Sequence, residues 1–112
     1  MDLDRKMSVD ILSAFDTNND SFPQIFKKYN KENDVSYHQK KRIKATTNEI
    51  IRNRGLIDYI IEESSSRKMK NIQPKLRSIL RLGCYELLFD EIIPEFAAIH
   101  SSVELGKNLV NK

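Results

Sequence analysis

RSILRLGCYELLF, residues 77–89, decides how this chain is read. Together with Leu76 just ahead of it, the run places Leu76, Leu80, Gly83 and Leu87 at spacings of four, three and four, which is one face of an α-helix. Pro74 stands where a first-turn proline belongs, so the helix opens there. Gly83 in mid-helix costs roughly 1 kcal/mol relative to alanine, and a close approach by another helix is the reason to expect it; Gly106 invites the same reading. Beside the apolar face Arg77, Arg81 and Tyr85 recur every four residues. Two roles stand level for Arg77: phosphate contact, or an ion pair with an acid such as Glu86 or Glu104 across a helix crossing. Arg81, nearer the packed middle, is expected to be structural. Cys84 has no histidine close to it in sequence to activate it, so burial as a small apolar residue outweighs a nucleophilic role.

Working outward, the chain of 112 residues is long enough for one modest core, and a single helical domain over residues 1–112 is expected. Three glycines, three prolines and short apolar runs broken by charges favour an all-α fold over a sheet. No apolar run approaches the roughly 20 residues needed to span a bilayer, and the charged start Met1-Asp2-Leu3-Asp4-Arg5-Lys6 lacks the apolar core of a signal peptide, so a cytoplasmic location is expected. One cysteine excludes an internal disulfide. With His38 and His100 it supplies no metal-ligand spacing, and no local acid turns either histidine into a catalytic dyad, so neither cofactor nor catalysis is expected.

The first helix is expected over about residues 3 to 15, where Met7, Ile11, Leu12 and Phe15 share a face, and it should stop within Asp16–Asp20. Ser21 with Gln24 and Ser36 with Gln39 each have capping-box spacing. The first opens a short helix bearing Phe22, Ile25, Phe26 and Tyr29, and the second opens a longer one through Arg52 with Ile43, Ile50 and Ile51 inward. Gly55 is expected to end that helix in the left-handed conformation. A fourth helix then carries Leu56, Ile57, Ile60 and Ile61, residues 64–70 form a polar connector, and Pro94 opens a last helix to about Asn108.

Charge is unevenly spread. Residues 1–39 sum to −2, residues 40–81 to +8 and residues 82–112 to −3. Lys40, Lys41, Arg42 and Lys44, then Arg52 and Arg54, then Arg67, Lys68 and Lys70 can neutralise phosphates if the fold gathers them. A lysine-rich helical face that is merely solvated is the competing reading. Tyr37, Tyr59 and Phe22 are stacking candidates, against which stands the greater frequency of aromatics in cores.

At PKLRSILRLGCYELLFDEIIPEFAAIHSSVELGK, residues 74–107, the chain resembles the NusB-like domain family. The resemblance rests on Leu76, Arg77, Leu80, Arg81, Tyr85, Glu86 and Leu87 in one helix, then Pro94, Ala98, Ile99, Val103, Glu104, Leu105 and Lys107. Upstream, EIIRNRGLIDYII, residues 49–61, is similar to the preceding helix pair, with Ile57-Asp58 matching. Its RNRG junction looks closer to the amino-terminal domain of bacterial 16S rRNA 5-methylcytosine methyltransferases than to the free-standing antitermination factor.

The resemblance implies a bundle of about six helices in two small subbundles, binding single-stranded or looped RNA such as rRNA or its leader, together with a small-subunit ribosomal protein or transcription complex. Three departures stand out. The basic start is reduced to Arg5 and Lys6, the asparagine-glutamate-alanine of the last motif is His100-Ser101-Ser102, and the family usually continues into another helix beyond the position of Lys112. Apolar surface at Val103, Leu109 or Val110 is therefore expected to be uncovered, and a homodimer is one way to cover it.

The leading expectation is a non-enzymatic RNA-binding domain contacting phosphates through Arg5, Lys6, Lys40, Lys41, Arg42, Arg52, Arg54, Lys75 and Arg77. The alternatives are an accessory domain of, or partner to, an rRNA cytosine methyltransferase, and a protein-interaction scaffold. No glycine-rich loop follows a strand here, so S-adenosylmethionine chemistry would need a separate catalytic chain.

Overall fold

Short polar side chains set where the helices start and stop. The computed structural model describes residues 3–89: α1 (Leu3–Thr17), α2 (Phe22–Glu32), α3 (Tyr37–Arg52), α4 (Arg54–Ser65), a 3-10 turn (Met69–Asn71) and α5 (Pro74–Phe89). Both capping boxes form. The Ser21 backbone N–H donates to Gln24 Oε1 at 2.9 Å and the Ser36 backbone N–H to Gln39 Oε1 at 2.9 Å, while each serine hydroxyl accepts from the backbone N–H of its glutamine. α1 ends inside the expected polar run, and α5 opens on Pro74.

Two expected boundaries are different. Gly55 does not end α3; it lies in the first turn of α4, and no described glycine has a positive φ. Asn53 makes the break, because its backbone N–H and its side-chain amide both donate to the Glu49 carbonyl, at 3.0 and 2.9 Å, closing α3 before α4 begins. The left-handed residue is Ser66 at φ 59°, whose N–H returns to the Glu62 carbonyl. The expected connector over residues 64–70 is correspondingly shorter. Ser64 and Ser65 are still helical, and Met69 is buried with its N–H donating to Glu62 Oε2 at 2.8 Å. The expected helix from Pro94, Gly106, His100 and the apolar Val103, Leu109 and Val110 lie outside the described residues.

α1 sits between two apolar clusters and feeds both. Met7 and Ile11 join Ile25, Val35 and Ile43 on the α2–α3 side, with Phe15, Phe22, Phe26 and Tyr29 at its margin. Val9 and Leu12 join Ile50, Ile57, Ile61, Met69, Ile72, Leu76, Leu80, Leu82 and Cys84 on the α4–α5 side. α3 also serves both, through Ile43 and Ile50, so the two subbundles share two helices. On α4, Ile57 and Ile61 point inward as expected, but Leu56 is turned to solvent, 55 % exposed.

The apolar interior is crossed by charge. Arg81, 5 % exposed, places Nε 2.8 Å from Asp58 Oδ1 and Nη2 2.9 Å from Asp58 Oδ2, a two-pronged pair joining α5 to α4. Its Nη1 lies 3.4 Å from Asp16 Oδ1, and Arg77 Nη2 lies 3.1 Å from Asp16 Oδ2, which ties α5 to the end of α1. The acids that meet these arginines are therefore Asp16 and Asp58; Glu86 pairs instead with Arg5, and Glu104 is outside the described residues. Burial works against the Arg81 charge, but the hydrogen bonds and charge of Asp58, with the charge of Asp16, outweigh it and raise its pKa. Arg81 is thus structural; without it Asp58 would lose its described partner and Asp16 would keep only Arg77. Arg81→Met is expected to cost roughly 3–5 kcal/mol, the usual penalty for removing one partner of a buried pair. Urea unfolding should show this as a lowered midpoint at unchanged slope.

Candidate nucleic-acid interface

The nine basic residues nominated as phosphate contacts fall into distinct settings. Asp4 of α1 reaches the first turns of α3, accepting from Arg42 Nη2 at 2.6 Å, from Arg42 Nε at 3.0 Å and from Gln39 Nε2 at 2.9 Å. The starts of α1 and α3 are therefore adjacent. Arg42, Lys40, Lys41 and Lys6 are all exposed near that end, and Arg5 nearby is paired with Glu86 of α5. At the opposite end of α1, the Arg54 guanidinium lies 5.8 Å from the Phe15 ring and Arg77 turns in to Asp16. Arg52 at the end of α3 is exposed and 3.2 Å from Glu49, and Lys75 at the start of α5 is exposed.

The nominated set is thus split between two ends of the molecule. Four of its arginines pair with a carboxylate of the same chain: Arg5, Arg42, Arg52 and Arg77. Arg77 is the most enclosed, yet its buried Nε has no hydrogen-bond partner among the described residues. Lys6, Lys40, Lys41 and Lys75 have no described ion pair, and as exposed cations they present charge to solvent without the cost of breaking one.

Sequence reasoning passed over Lys27, Lys28 and Lys31 on α2, all exposed. Summing charge over residues 1–39 hid them among acids of α1 and the loops. The position of Lys27 and Lys31 opposite the inward Ile25 was the available signal. Lys44 Nζ lies 5.9 Å from the Phe26 ring, so α2 flanks the cationic side of α3. Of the aromatic candidates, Tyr37 and Tyr59 are open to solvent, 72 % and 62 % exposed, whereas Phe22 packs at the edge of the α2–α3 core.

Nothing in this arrangement favours chemistry at Cys84. The thiol is buried, and that burial, reinforced by the charge of Asp58, pushes its pKa up to about 11. Burial and the charge of Glu49 raise the neighbouring Tyr85 in the same direction. Among the described residues no group of three or more histidine, cysteine or acidic side chains is placed to hold a metal ion, and no helix is long and apolar enough to cross a membrane.

An all-helical domain with two cores sharing α1, and an arginine–aspartate chain joining α1, α4 and α5, is the setting for comparison with known proteins. A profile described as the NusB family matches residues 3–112, and the chain belongs to that family. It is 34% identical over 106 residues to the transcription antitermination protein NusB of Alkaliphilus oremlandii, covering 94% of this chain and 77% of the relative. Against the protein of the same name from Clostridium novyi it is 29% identical over 106 residues, covering 92% and 80%. It is also 25% identical over 103 residues to the probable ribosomal RNA small subunit methyltransferase B of Bacillus subtilis, covering 92% of this chain but 23% of that protein. No solved structure gives a significant match.

The raised Cys84 pKa carries a test. Below the ordinary thiol value of 9.0 the group stays protonated in both folded and unfolded chains, and its contribution to stability is lost as pH rises through about 11. At pH 8 an aromatic disulfide reagent should label Cys84 only at the rate of unfolding, accelerating when urea is added. Rapid labelling of the native protein would contradict its burial.

Proposed function

We propose that this chain is a non-catalytic RNA-binding protein of the NusB type that acts in transcription antitermination. The observation that carries the reading is the length of the match: relatives named transcription antitermination protein NusB align over nearly all of this chain and most of their own length. The alternative, an accessory role beside an rRNA cytosine methyltransferase, is supported by the Bacillus subtilis match, but that match reaches only 23% of the methyltransferase. A scaffold without RNA contact is disfavoured by the exposed, unpaired lysines of α3.

In this reading the protein works in the cytoplasm on single-stranded or looped RNA, rRNA or its leader, through Lys6, Lys40, Lys41, Arg42, Arg52, Arg54 and Lys75. Arg5 and Arg77 contribute from their ion-paired positions. A small-subunit ribosomal protein or a transcription complex is the expected partner, and self-association is a further expectation; a sedimentation series showing only monomer at high concentration would dismiss the homodimer.

Each phosphate contact removed should flatten the dependence of log K on log salt by about 0.7 for single strands. Replacing Lys41, Arg42, Arg52 and Arg54 together by glutamine is expected to lower the slope by about 2.8 if all four touch phosphate, and to weaken RNA binding at least tenfold near physiological salt. Unchanged affinity and slope would dismiss this surface.

A further inference from the structure

The sequence marks α2 as a short helix with an apolar face but assigns no role to its lysines, and the fold gives it a place beside α3. The two helices are neighbours, joined by residues 33–36, with Ile25 and Ile43 buried in the cluster they share with α1. The Lys44 ammonium against Phe26 fixes which flank of α2 meets α3. Helical geometry of about 100° per residue then places Lys27 and Lys31, one turn apart, on the outward side next to that flank. On α3 the outward line runs through Tyr37, Lys41 and Lys44, with Lys40 on the edge toward α2. All five lysines are exposed. Glu32 lies about 100° or more round α2 from Lys27 and Lys31, and Asp34 is in the loop, so neither interrupts the rows.

Helices in contact have axes roughly 8–10 Å apart, so the ammonium groups of the two helices add to one positive field over the pair. Tyr37 stands at one end of this band, 72 % exposed, its ring in an edge-to-face contact with His38 at 5.8 Å between centroids. An open aromatic face beside flexible cations suits an extended strand with unstacked bases better than an acidic protein surface.

We propose that α2 and α3 form a track for single-stranded RNA, in which Lys27 and Lys31 of α2 and Lys40, Lys41 and Lys44 of α3 hold the phosphates while Tyr37 stacks a base. This rests on the RNA-binding reading above and adds a second helix and a stacking residue to it. The lysines bind without regard to sequence, and Tyr37 selects for single strands, because a base inside a duplex cannot reach its ring.

The test is fluorescence anisotropy of the full chain with 20-nucleotide oligouridine and oligoadenosine RNAs across a salt series. Three variants are compared: Lys27→Gln with Lys31→Gln, Tyr37→Ala, and Lys68→Gln with Lys70→Gln, which removes equal charge from exposed positions beyond α4. Circular dichroism confirms that helix content is retained. The α2 pair is expected to lower the salt slope by about 1.4 and to weaken both RNAs severalfold. Tyr37→Ala should weaken them about tenfold, and the Lys68/Lys70 pair should stay within twofold of the unaltered protein.

If the Lys41, Arg42, Arg52 and Arg54 variant loses RNA while the α2 pair matches the Lys68/Lys70 pair, the track is overturned and RNA binding stands. Unchanged affinity in Tyr37→Ala overturns the track as drawn. Failure of the unaltered protein to bind either RNA overturns both readings. Loss of oligoglutamate binding in the α2 pair, with RNA affinity intact, would make the band a protein-docking surface and overturn the track.

Discussion

The fold depends on one chain of charges, Arg77–Asp16–Arg81–Asp58, centred on the buried Arg81 and running from α1 through α5 to α4. Apolar side chains alone leave helices free to slide by a turn at little cost, since one leucine replaces another. A two-pronged arginine–aspartate pair permits only one register, because either charge would otherwise sit unpaired in a low dielectric. The chain alternates in sign and sums to zero, so it orders three helices without loading the interior with net charge. Its Asp58 carboxylate also adds to the burial that chiefly raises the pKa of Cys84.

That internal use of arginine shapes the outer surface. The arginines of α5 are drawn inward to Asp16 and Asp58, leaving Lys75 exposed, while the cations of α2 and α3 are mainly lysines on helices whose inward faces are already satisfied by Ile25, Ile43 and Ile50. Arginine holds a fixed geometry with a carboxylate, and lysine follows a moving phosphate. The division of labour between the two residue types follows the division between core and surface.

Much of this was legible in the sequence because it is local. The serine–glutamine pairs at 21/24 and 36/39 act within one helical turn, and Pro74 acts on its own backbone, so each marks a boundary before any tertiary contact exists. The inward burial of Cys84 followed from its apolar neighbours. Gly55 was misleading because Asn53 had already closed α3 with two hydrogen bonds to one carbonyl, leaving glycine nothing to terminate. The acids meeting Arg81 were not legible, since Asp58 is 23 positions away and on another helix. Likewise the lysines of α2 acquire meaning only when α2 is laid against α3, since charge along a chain says nothing about charge across a helix pair.

α1 is the element whose position matters most beyond its own contacts. With Met7 and Ile11 committed to one cluster and Val9 and Leu12 to the other, neither subbundle keeps a complete core if α1 leaves. The two halves therefore have no independent folding units to fall back on, and backbone amides in α2 and in α5 should exchange with solvent through the same global opening. A domain that looks divisible in its packing is, in its thermodynamics, indivisible.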